Sequence, residues 1–442
     1  MAQHHFLCSE LDIFKNEGYD MSILSTQNCD VYPTSPLSEA SVPLTFIVNS
    51  TDAHYIDLSK TRLYIRAKIV KSNGDALEAA NIAAPVNNVL HSLFSQCSVL
   101  LNETLITPSN MYYAHRSMIE RMLLFSKEYN ETQSECSGYY KDEDPASADG
   151  VKSSSYKTRS AMCAESKVIK LIGRPHVNRF AQPDFLPPGV DMKVVFQRST
   201  DEFATFVPPG VSSGVPLACK ISILEAKLQI VRHKVLPAAA INHIRQWENN
   251  DLANIYLTRV DVKSFALLTG TLTRVEEGVF KGGQLPQRLV IAIAPSTNVN
   301  GSVITNPFVF SDFNLSHINV SVNEDTSEAF PLKVDFRLGS LRVKEALSNL
   351  FRSIGIENKD ASIDYNVADF VNNKTLFVYE ISPITDARTP PRFGNIKIEF
   401  RFREDTKQPL TVLCYTETQG VLNIDKNKSV FFRDYSQNHN EY

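Results

Sequence analysis

Alternating apolar and polar residues dominate the chain and predict β-strands. The clearest stretch is RLYIRAKIV at residues 62–70, with Leu63, Ile65 and Ala67 among its apolar positions. A period of two places these side chains on one face of a strand, so we expect one buried and one wet face. Residues 72–75, Ser-Asn-Gly-Asp, then predict a turn, because Gly accepts the positive φ that a chain reversal requires.

A second strand signal lies at residues 86–106, VNNVLHSLFSQCSVLLNETLI. Asn102 and Glu103 separate its apolar runs, which predicts a hairpin. The pattern returns half a chain later: shifted by 221 residues, LFSQCSVLLNE lies over NLSHINVSVNE, and Asn102 falls on Asn323. One internal match at half the length of a 442-residue chain indicates two copies of one domain.

Two short stretches have helical spacing instead. Residues 117–128 and residues 344–353 each repeat apolar side chains three and four positions apart, which predicts a helix in each half. Between the first helix and the next strands, residues 131–160 are rich in Ser, Asp, Glu and Lys. This segment is longer than a hairpin requires, so we expect an excursion over the surface.

The number and spacing of the strands predict the fold class. Pro187-Pro188-Gly189 leads into MKVVF and Pro390-Pro391 leads into NIKIEFRF, each an extended approach to an alternating strand. Many short strands with few helices are typical of antiparallel sandwiches, and about 200 residues accommodate a jelly roll. We therefore predict an all-β chain of two tandem eight-stranded jelly rolls, with a few short helices in the loops. The predicted divisions are an N-terminal arm at residues 1–40, a first jelly roll at 41–236 and a second at 237–442, joined at Pro237.

Composition and charge narrow the class of protein. Apolar residues make up 43% and charged residues 21%, as in ordinary globular proteins. The formal net charge of −4 argues against a protein that coats nucleic acid with a basic surface, so we expect no specific nucleic-acid binding. The seven cysteines show no CxxC spacing and predict reduced, mostly buried thiols. No secretory leader and no membrane-spanning run is evident, so we expect a chain that is not secreted and does not span a membrane.

The common catalytic and phosphate-binding motifs do not occur in the sequence. We therefore predict no catalytic, cofactor-binding or metal-ligating residues. His91 lies in an apolar stretch and is interpreted as a hydrogen-bonded core histidine, and His176 has no support as a catalytic residue. Residues 141–144, Lys-Asp-Glu-Asp, fit a solvated acidic loop better than a calcium loop, because Pro145 and the spacing break the EF-hand pattern.

Three other features each have a structural and a functional interpretation. Residues 281–284, Lys-Gly-Gly-Gln, fit a turn better than an anion cradle. The adjacent His4 and His5 fit a solvated terminus better than a metal site. For Trp247, the only tryptophan, burial within its own domain is slightly favoured over an anchor between domains or subunits.

Two of the stretches quoted resemble a known family. VPLTFIVNSTDAHYIDLSKTRLYIRAKI and VNNVLHSLFSQCSVLLNETLI resemble the N-terminal region of major capsid proteins from Polinton (Maverick) elements and adintovirus-like DNA viruses. The resemblance is strongest over residues 42–129 and continues more weakly through NIKIEFRF. Its motifs mark strands and turns, so it transfers no functional residues.

The resemblance implies a double jelly-roll subunit that forms a pseudo-hexameric homotrimer. Such trimers tile an icosahedral shell around double-stranded DNA. The implied partners are further copies of the chain, first in the trimer and then between trimers, together with a penton-type minor capsid protein. The implied location is the virion, assembled in the host nucleus or cytoplasm.

Two alternative functions remain open. A jelly-roll fibre or spike protein would bind a receptor or a carbohydrate through exposed loops rather than lateral faces. A glycosidase on a β-sandwich would require two carboxylates about 5–10 Å apart. No sequence feature selects such a pair from the 49 acidic residues, so we expect a protein that is not an enzyme.

Overall fold

The structure is a computed structural model of the chain. It describes residues 22–37, 42–50, 54–79, 81–108, 110–143, 153–207, 218–323, 329–336, 340–382 and 391–433. We call residues 22–236 the first half and residues 237–433 the second half.

The described residues of the first half form ten strands. They are β1 (Ile23–Val31), β2 (Leu44–Val48), β3 (His54–Lys71), β4 (Ala84–Pro85), β5 (Phe94–Leu101), β6 (Thr104–Leu105), β7 (Ile169–Gly173), β8 (Met192–Arg198), β9 (Thr205–Phe206) and β10 (Cys219–Val235). Two antiparallel four-stranded sheets result, in the orders β1-β10-β3-β7 and β2-β8-β5-β6, and β4 pairs with β9.

The second half repeats this plan. Its described strands are β11 (Ala253–Leu267), β12 (Thr273–Glu276), β13 (Gly283–Gln284), β14 (Arg288–Pro295), β15 (Leu315–Val322), β16 (Ala329–Lys333), β17 (Phe377–Glu380), β18 (Phe393–Gly394), β19 (Ile396–Phe402), β20 (Leu410–Ile424) and β21 (Val430–Phe432). The sheets have the orders β11-β20-β14-β17 and β12-β19-β15-β16; β21 extends the first beside β20, and β13 pairs with β18.

Helices occupy the connections between strands. The α-helices are α1 (Val89–Ser92), α2 (Tyr113–Leu124), α3 (Lys127–Glu131), α4 (Ser154–Cys163), α5 (Asp201–Ala204), α6 (Pro237–Glu248), α7 (Ser296–Asn300), α8 (Leu341–Ser353) and α9 (Val367–Val371). Short 3-10 helices lie at Gln133–Ser137, Ala164–Ser166, Asn178–Ala181 and Gly278–Phe280. Helix α6 connects the halves, directly after the predicted junction at Pro237.

The strand order in each half is that of a jelly roll. Counting the eight principal strands of a half in chain order, one sheet reads 1-8-3-6 and the other 2-7-4-5, in both halves alike. This order arises when a long antiparallel ribbon folds over on itself, which places sequence-distant strands side by side. The predicted all-β double jelly roll is confirmed.

Strand β1 corrects the interpretation of residues 1–40 as an arm. Residues 23–31 form the first principal strand of the first jelly roll, paired with β10 from Ile23↔Val235 to Val31↔Leu228. Most of β1 is exposed at the sheet edge, so its sequence lacks the apolar alternation that marks a half-buried strand. Its partner lies about two hundred residues away in the sequence, beyond any local signal. Residues 1–21 lie outside the described residues.

The strand predicted at residues 62–70 is confirmed as part of β3. Leu63, Ile65, Ala67 and Ile69 are fully buried, whereas Arg66 and the other polar positions between them are partly exposed. In the core they meet inward-facing side chains of the second sheet of the first half. The period of two therefore sets which face of β3 enters the sandwich.

The internal match at half the chain length corresponds to one structural repeat. Shifted by 221 residues, Phe94–Leu101 falls on Leu315–Val322, and these are the bounds of β5 and β15. Asn102 and Asn323 follow the two strands with φ of 42° and 51°, in the left-handed region that Asn tolerates better than most residues. The predicted hairpin of β5 and β6 is also confirmed.

Both predicted helices exist, with one change of bounds. Helix α8 contains the predicted residues 344–353 and buries Ala346, Leu347 and Leu350. The helix predicted at residues 117–128 instead begins at Tyr113 and ends at Leu124, because Phe125 is extended. Helix α3 starts afresh after Ser126, whose hydroxyl accepts a hydrogen bond from the N–H of Tyr129.

Candidate functional site: the seam between the two halves

The two halves complete each other's hydrophobic cores along the seam, which we define as the contact surface between them. Helix α2 belongs to the first half, yet it packs into the core that contains the second jelly roll, through Ala114, Met118, Ile119, Met122 and Leu123. Conversely, β11, β20 and β21 add side chains to the core of the first half: Ile255, Leu257, Leu422, Ile424 and Val430. Neither half therefore buries its apolar surface without the other.

Hydrogen bonds cross the seam beside α2. The amide of Asn110 donates to Asp261 Oδ1 over 2.7 Å. Two residues further along the chain, the hydroxyl of Tyr112 lies 2.7 Å from the hydroxyl of Ser264. Asp261 and Ser264 both belong to β11. Because hydrogen bonds are directional, they fix the orientation of one half on the other, which apolar contact does not do alone.

A charged cluster is buried where α2 meets the second half. Arg116 Nε donates to Glu120 Oε1 over 2.8 Å, and His176 Nδ1 contacts the other carboxylate oxygen. The hydroxyl of Tyr415, from β20, lies 3.4 Å from Glu120 Oε1. Burial acts to raise the pKa of Glu120, but Arg116 and His176 outweigh it and lower this pKa to about 2. The carboxylate is therefore charged at neutral pH.

Tyr415 lies between this cluster and an equivalent pair in the second half. Its hydroxyl donates to Glu417 Oε1 over 2.9 Å, and Arg288 Nη1 donates to Glu417 Oε2 over 2.9 Å. Each half thus contributes one acid that is neutralised by an arginine of the same half. The hydroxyl of Tyr415 has a single proton, which it donates to Glu417, so Tyr415 packs beside Glu120 across the seam without a second hydrogen bond.

The chain after α3 brings a second charged cluster to the seam. Lys141 Nζ contacts the carboxylates of Asp364 and Asp369, both in the second half. Asp369 also pairs with Lys374 and forms a capping box with Asn366 at the start of α9. A buried carboxylate needs this many partners, since an unpaired charge away from water is costly.

These contacts correct two predictions about residues 131–160. The acidic stretch at 141–144 is not a solvated loop over its described part, because Lys141 is engaged in the seam and Asp142 is buried. Asp142 accepts a hydrogen bond from Asn87 over 2.9 Å and contacts Arg159, itself 2% exposed. The expected surface excursion is confirmed only in part: Glu131, Gln133 and Lys157 are exposed, whereas Ser155 and Arg159 are buried and contact each other. Residues 144–152 lie outside the described residues.

The two histidines considered from the sequence lie together at the seam. His91 is 1% exposed, and its Nδ1 is 3.0 Å from the hydroxyl of Tyr113. This confirms the hydrogen-bonded core histidine. His176 packs edge-on against His91, with ring centroids 4.5 Å apart. Burial lowers the pKa of His91 well below its ordinary value, and burial also lowers the pKa of His176 despite the opposing effect of Glu120.

Trp247 packs within the second half, on the helix that follows the junction. It is half-buried on α6, beneath Lys428 Nζ and beside His243. The Nδ1 of His243 lies 2.7 Å from the hydroxyl of Tyr55 in the first half. Helix α6 therefore contacts the first half through His243, whereas the ring contacts of Trp247 itself are with Lys428 and His243 of the second half.

The remaining candidates have simple outcomes. The chain bends at Lys281 and Gly282, where Gly282 has φ of 62°, and Gly283 and Gln284 then form strand β13. His4 and His5 lie outside the described residues. Among the described residues, no group of three or more His, Cys, Asp or Glu side chains is placed to hold a metal ion. No helix in that same part of the chain has the length and apolar character of a bilayer-spanning segment.

Sequence interpretation missed the residues that join the halves. Arg116 and Glu120 are four apart, a spacing that signals an ion pair on a helix, but Arg116 precedes the predicted bounds of residues 117–128. Tyr415 gives no such signal, because it meets Glu120 across 295 residues of sequence. The interactions within the seam hold charges in fixed pairs, so the arrangement serves to fix the two jelly rolls in one relative position.

Comparison with known proteins places this geometry among solved folds. No protein-family model matches the chain. An uncharacterized protein of Caenorhabditis elegans, F54H12.2, is 21% identical over 416 residues, which cover 88% of this chain and 92% of that protein.

Solved viral structures match nearly the whole chain. A chain in the cryo-EM structure of the Sputnik virophage has a TM-score of 0.66 and 10% identity, over 99% of this chain and 94% of that one. The mavirus major capsid protein has a TM-score of 0.54 and 11% identity, over 98% and 95%. The faustovirus major capsid protein has a TM-score of 0.55 and 8% identity, over 92% and 92%. At these identities the likeness is one of fold, the double jelly roll.

Proposed function

We propose that the chain is a major capsid protein, a structural subunit that forms pseudo-hexameric homotrimers and tiles an icosahedral shell around double-stranded DNA. The observation that carries this proposal is the pair of jelly rolls with the same strand order, fixed side by side through shared cores. Three such chains around a threefold axis present six similar units, and six units in a ring fill a hexagonal lattice.

The seam supports the proposal on physical grounds. A subunit that contributes two of six positions in a ring must hold its two jelly rolls at one angle, or the ring does not close. The contacts Asn110–Asp261, Tyr112–Ser264 and Lys141–Asp364 cross the seam and fix that angle with directional bonds. Two jelly rolls joined only by a flexible linker would lack these contacts.

The likeness to viral proteins is a second line of support. The mavirus and faustovirus proteins are described as major capsid proteins, and this chain matches each over more than nine-tenths of both lengths. We extend the proposal to the virion as the location, with assembly in the host nucleus or cytoplasm. The proposed lineage is that of Polinton (Maverick) elements, and a penton-type protein is the proposed partner at the vertices.

The proposed domain organisation follows the strand pairing. The described principal strands pair within their own half, and α6 lies between the last strand of one jelly roll and the first of the next. We therefore place the junction at Pro237, as expected, and begin the first jelly roll with β1.

Electron microscopy of the purified full-length chain tests the proposal. Particles with six lobes around a threefold axis, or hexagonal sheets of them, are the expected result. Single two-lobed particles at every concentration would contradict it. A glycan array on the same preparation separates the fibre or spike alternative, which requires tight and selective glycan binding.

A further inference from the structure

A cavity of about 320 Å³ opens beside the seam. Its wall comes from α2, the chain around residues 172–178, and strands β11, β14 and β20. Both halves therefore contribute to it. Its volume is at the lower end of the range for small-ligand sites, which is about 300–1,000 Å³.

The charges on the wall do not balance. Two acids line the cavity, Glu120 and Glu417, and each is paired with its own arginine at 2.8–2.9 Å. Two further arginines line it, Arg121 and Arg174. Among the described residues, neither has a carboxylate within ion-pair distance. The wall thus carries two positive charges without a counter-ion.

Arg121 is the stronger of these observations, because it is 3% exposed. Its terminal nitrogens donate to the hydroxyls of Ser134 and Ser137 and, over 3.4 Å, to Asn88 Oδ1. Its buried Nε has no hydrogen-bond partner among the described residues. The guanidinium lies 5.2 Å from the ring centroids of Phe125 and Tyr139. These rings and hydroxyls reduce the desolvation cost of the guanidinium but do not neutralise its charge. A buried charge normally has an opposite charge nearby.

We propose that this cavity binds a small phosphate-bearing anion, held by Arg121 inside and Arg174 at the mouth. A phosphate monoester carries close to two negative charges at neutral pH, which matches the two unpaired arginines. Guanidinium groups bind phosphate oxygens in a forked geometry. Tyr129 and Gln133 also line the cavity and add polar groups for such a ligand. All four of these residues belong to the first half, but Thr258 and Tyr415 of the second half line the same cavity, so a ligand that fills it contacts both halves.

Calorimetry and thermal unfolding of the full-length chain test this site. The probes are inorganic phosphate and adenosine monophosphate, titrated at constant ionic strength with chloride as the background anion. Saturable binding and a saturable rise in Tm are expected. Tighter binding of the nucleotide would indicate an organic phosphate as the ligand, and equal binding would indicate the free ion; either supports the site.

Variants separate the site from general salt effects. Arg174 is exposed at the mouth, so Arg174→Ala should fold normally and weaken phosphate binding by about tenfold or more, the loss of one charged contact. Arg121→Met should abolish binding wherever it folds. Arg62→Ala is the matched control, because Arg62 is exposed on β3 away from the cavity, and its binding should equal that of the unaltered chain. No saturable binding, or equal binding in Arg174→Ala and the unaltered chain, would overturn the proposal.

Discussion

Single asparagines close the same corner in both jelly rolls. Asn102 exchanges two hydrogen bonds with Asp191, through its backbone N–H at 3.0 Å and its side-chain oxygen at 2.7 Å. Asn323 exchanges the same two bonds with Asn395, at 2.9 and 2.8 Å. In each half this joins the end of the fourth principal strand to the start of the seventh. The corner requires a residue that tolerates a positive φ and carries a side-chain hydrogen-bond acceptor. Asn meets both requirements.

Replacement of Asn102 by alanine tests this corner. The side chain also donates to the carbonyls of Gly189 and Lys428, at 3.1 and 2.8 Å. We expect Asn102→Ala to lower the free energy of unfolding by about 1–3 kcal/mol, from lost hydrogen bonds and the cost of a positive φ. Urea denaturation measures it. Asn358→Ala is the control, since Asn358 has φ of 56° on an exposed loop. An equal loss in both variants would show that the hydrogen bonds contribute nothing.

Buried histidines predict acid sensitivity. His115 is 2% exposed and packs between Phe203 and Phe308, with ring centroids 5.5 and 5.7 Å away. Burial lowers the pKa of His115 to about 4. The unfolded chain binds this proton at about pH 6.5, so the unfolded state takes up more protons below that pH. Stability is therefore full above about pH 6.5 and falls as the pH drops toward 4, by up to about 3 kcal/mol for this residue.

His115→Phe should reduce that loss. The free energy of unfolding, measured by urea denaturation from pH 7 to pH 4, should fall less steeply in the variant than in the unaltered chain. Phe308→Leu disturbs the same packing without removing a titrating group, so it should lower the whole curve and keep its slope. An unchanged slope in His115→Phe would contradict the assignment.

A β-bulge in β10 could not be predicted from the sequence. The apolar alternation in β10 predicts Leu224 on the buried face with Ala226, Leu228 and Ile230. Leu224 is 42% exposed instead, because a register shift between Ile223 and Glu225 reverses the alternation there. A β-bulge adds one residue to one strand, and nothing in the local period distinguishes it from a regular strand.

At the scale of elements, helix α2 packs into the core of the half to which it does not belong. It is a connection between two strands of the first half, yet eleven of its twelve residues are buried and its apolar side chains enter the second-half core. A helix that is buried on two faces contributes to the core and not only to a connection. Because α2 packs against both halves, we expect the stability of each half to depend on the other.

Ile119 is the residue in α2 that tests this connection. It is fully buried, so Ile119→Ala should cost about 2–4 kcal/mol through lost burial and a cavity. Leu124, 51% exposed at the end of the same helix, should tolerate alanine within about 0.5 kcal/mol. Circular dichroism reports the strands of both halves, and Trp247 fluorescence reports the junction. Both signals should fall in one urea transition for each variant; two separate transitions would show that the halves unfold independently.

Elements differ in how well the sequence predicts them. Half-buried strands such as β3 and the amphipathic helix α8 follow from their periods, since one face of each meets the core. The repeat at half the chain length predicts the matching bounds of β5 and β15. Edge strand β1 and the buried segment after α3 escaped prediction, because their structure depends on distant partners: β10 for one, α9 and β4 for the other.

At the scale of the whole molecule, the two jelly rolls form one rigid unit rather than two domains joined by a flexible linker. Shared cores and paired charges hold the jelly rolls at one angle. The sequence predicts two jelly rolls from its patterns, but the seam depends on pairs such as Glu120 and Tyr415 that meet only in the folded chain. In the proposed trimer, that fixed angle would let three units close into a ring of six jelly rolls.

The mass of the purified chain in solution tests this account most directly. One chain has a mass of 49.5 kDa, so light scattering after size-exclusion chromatography should give about 150 kDa, the mass of a trimer. A single species of 49.5 kDa that persists at micromolar concentration would contradict the account.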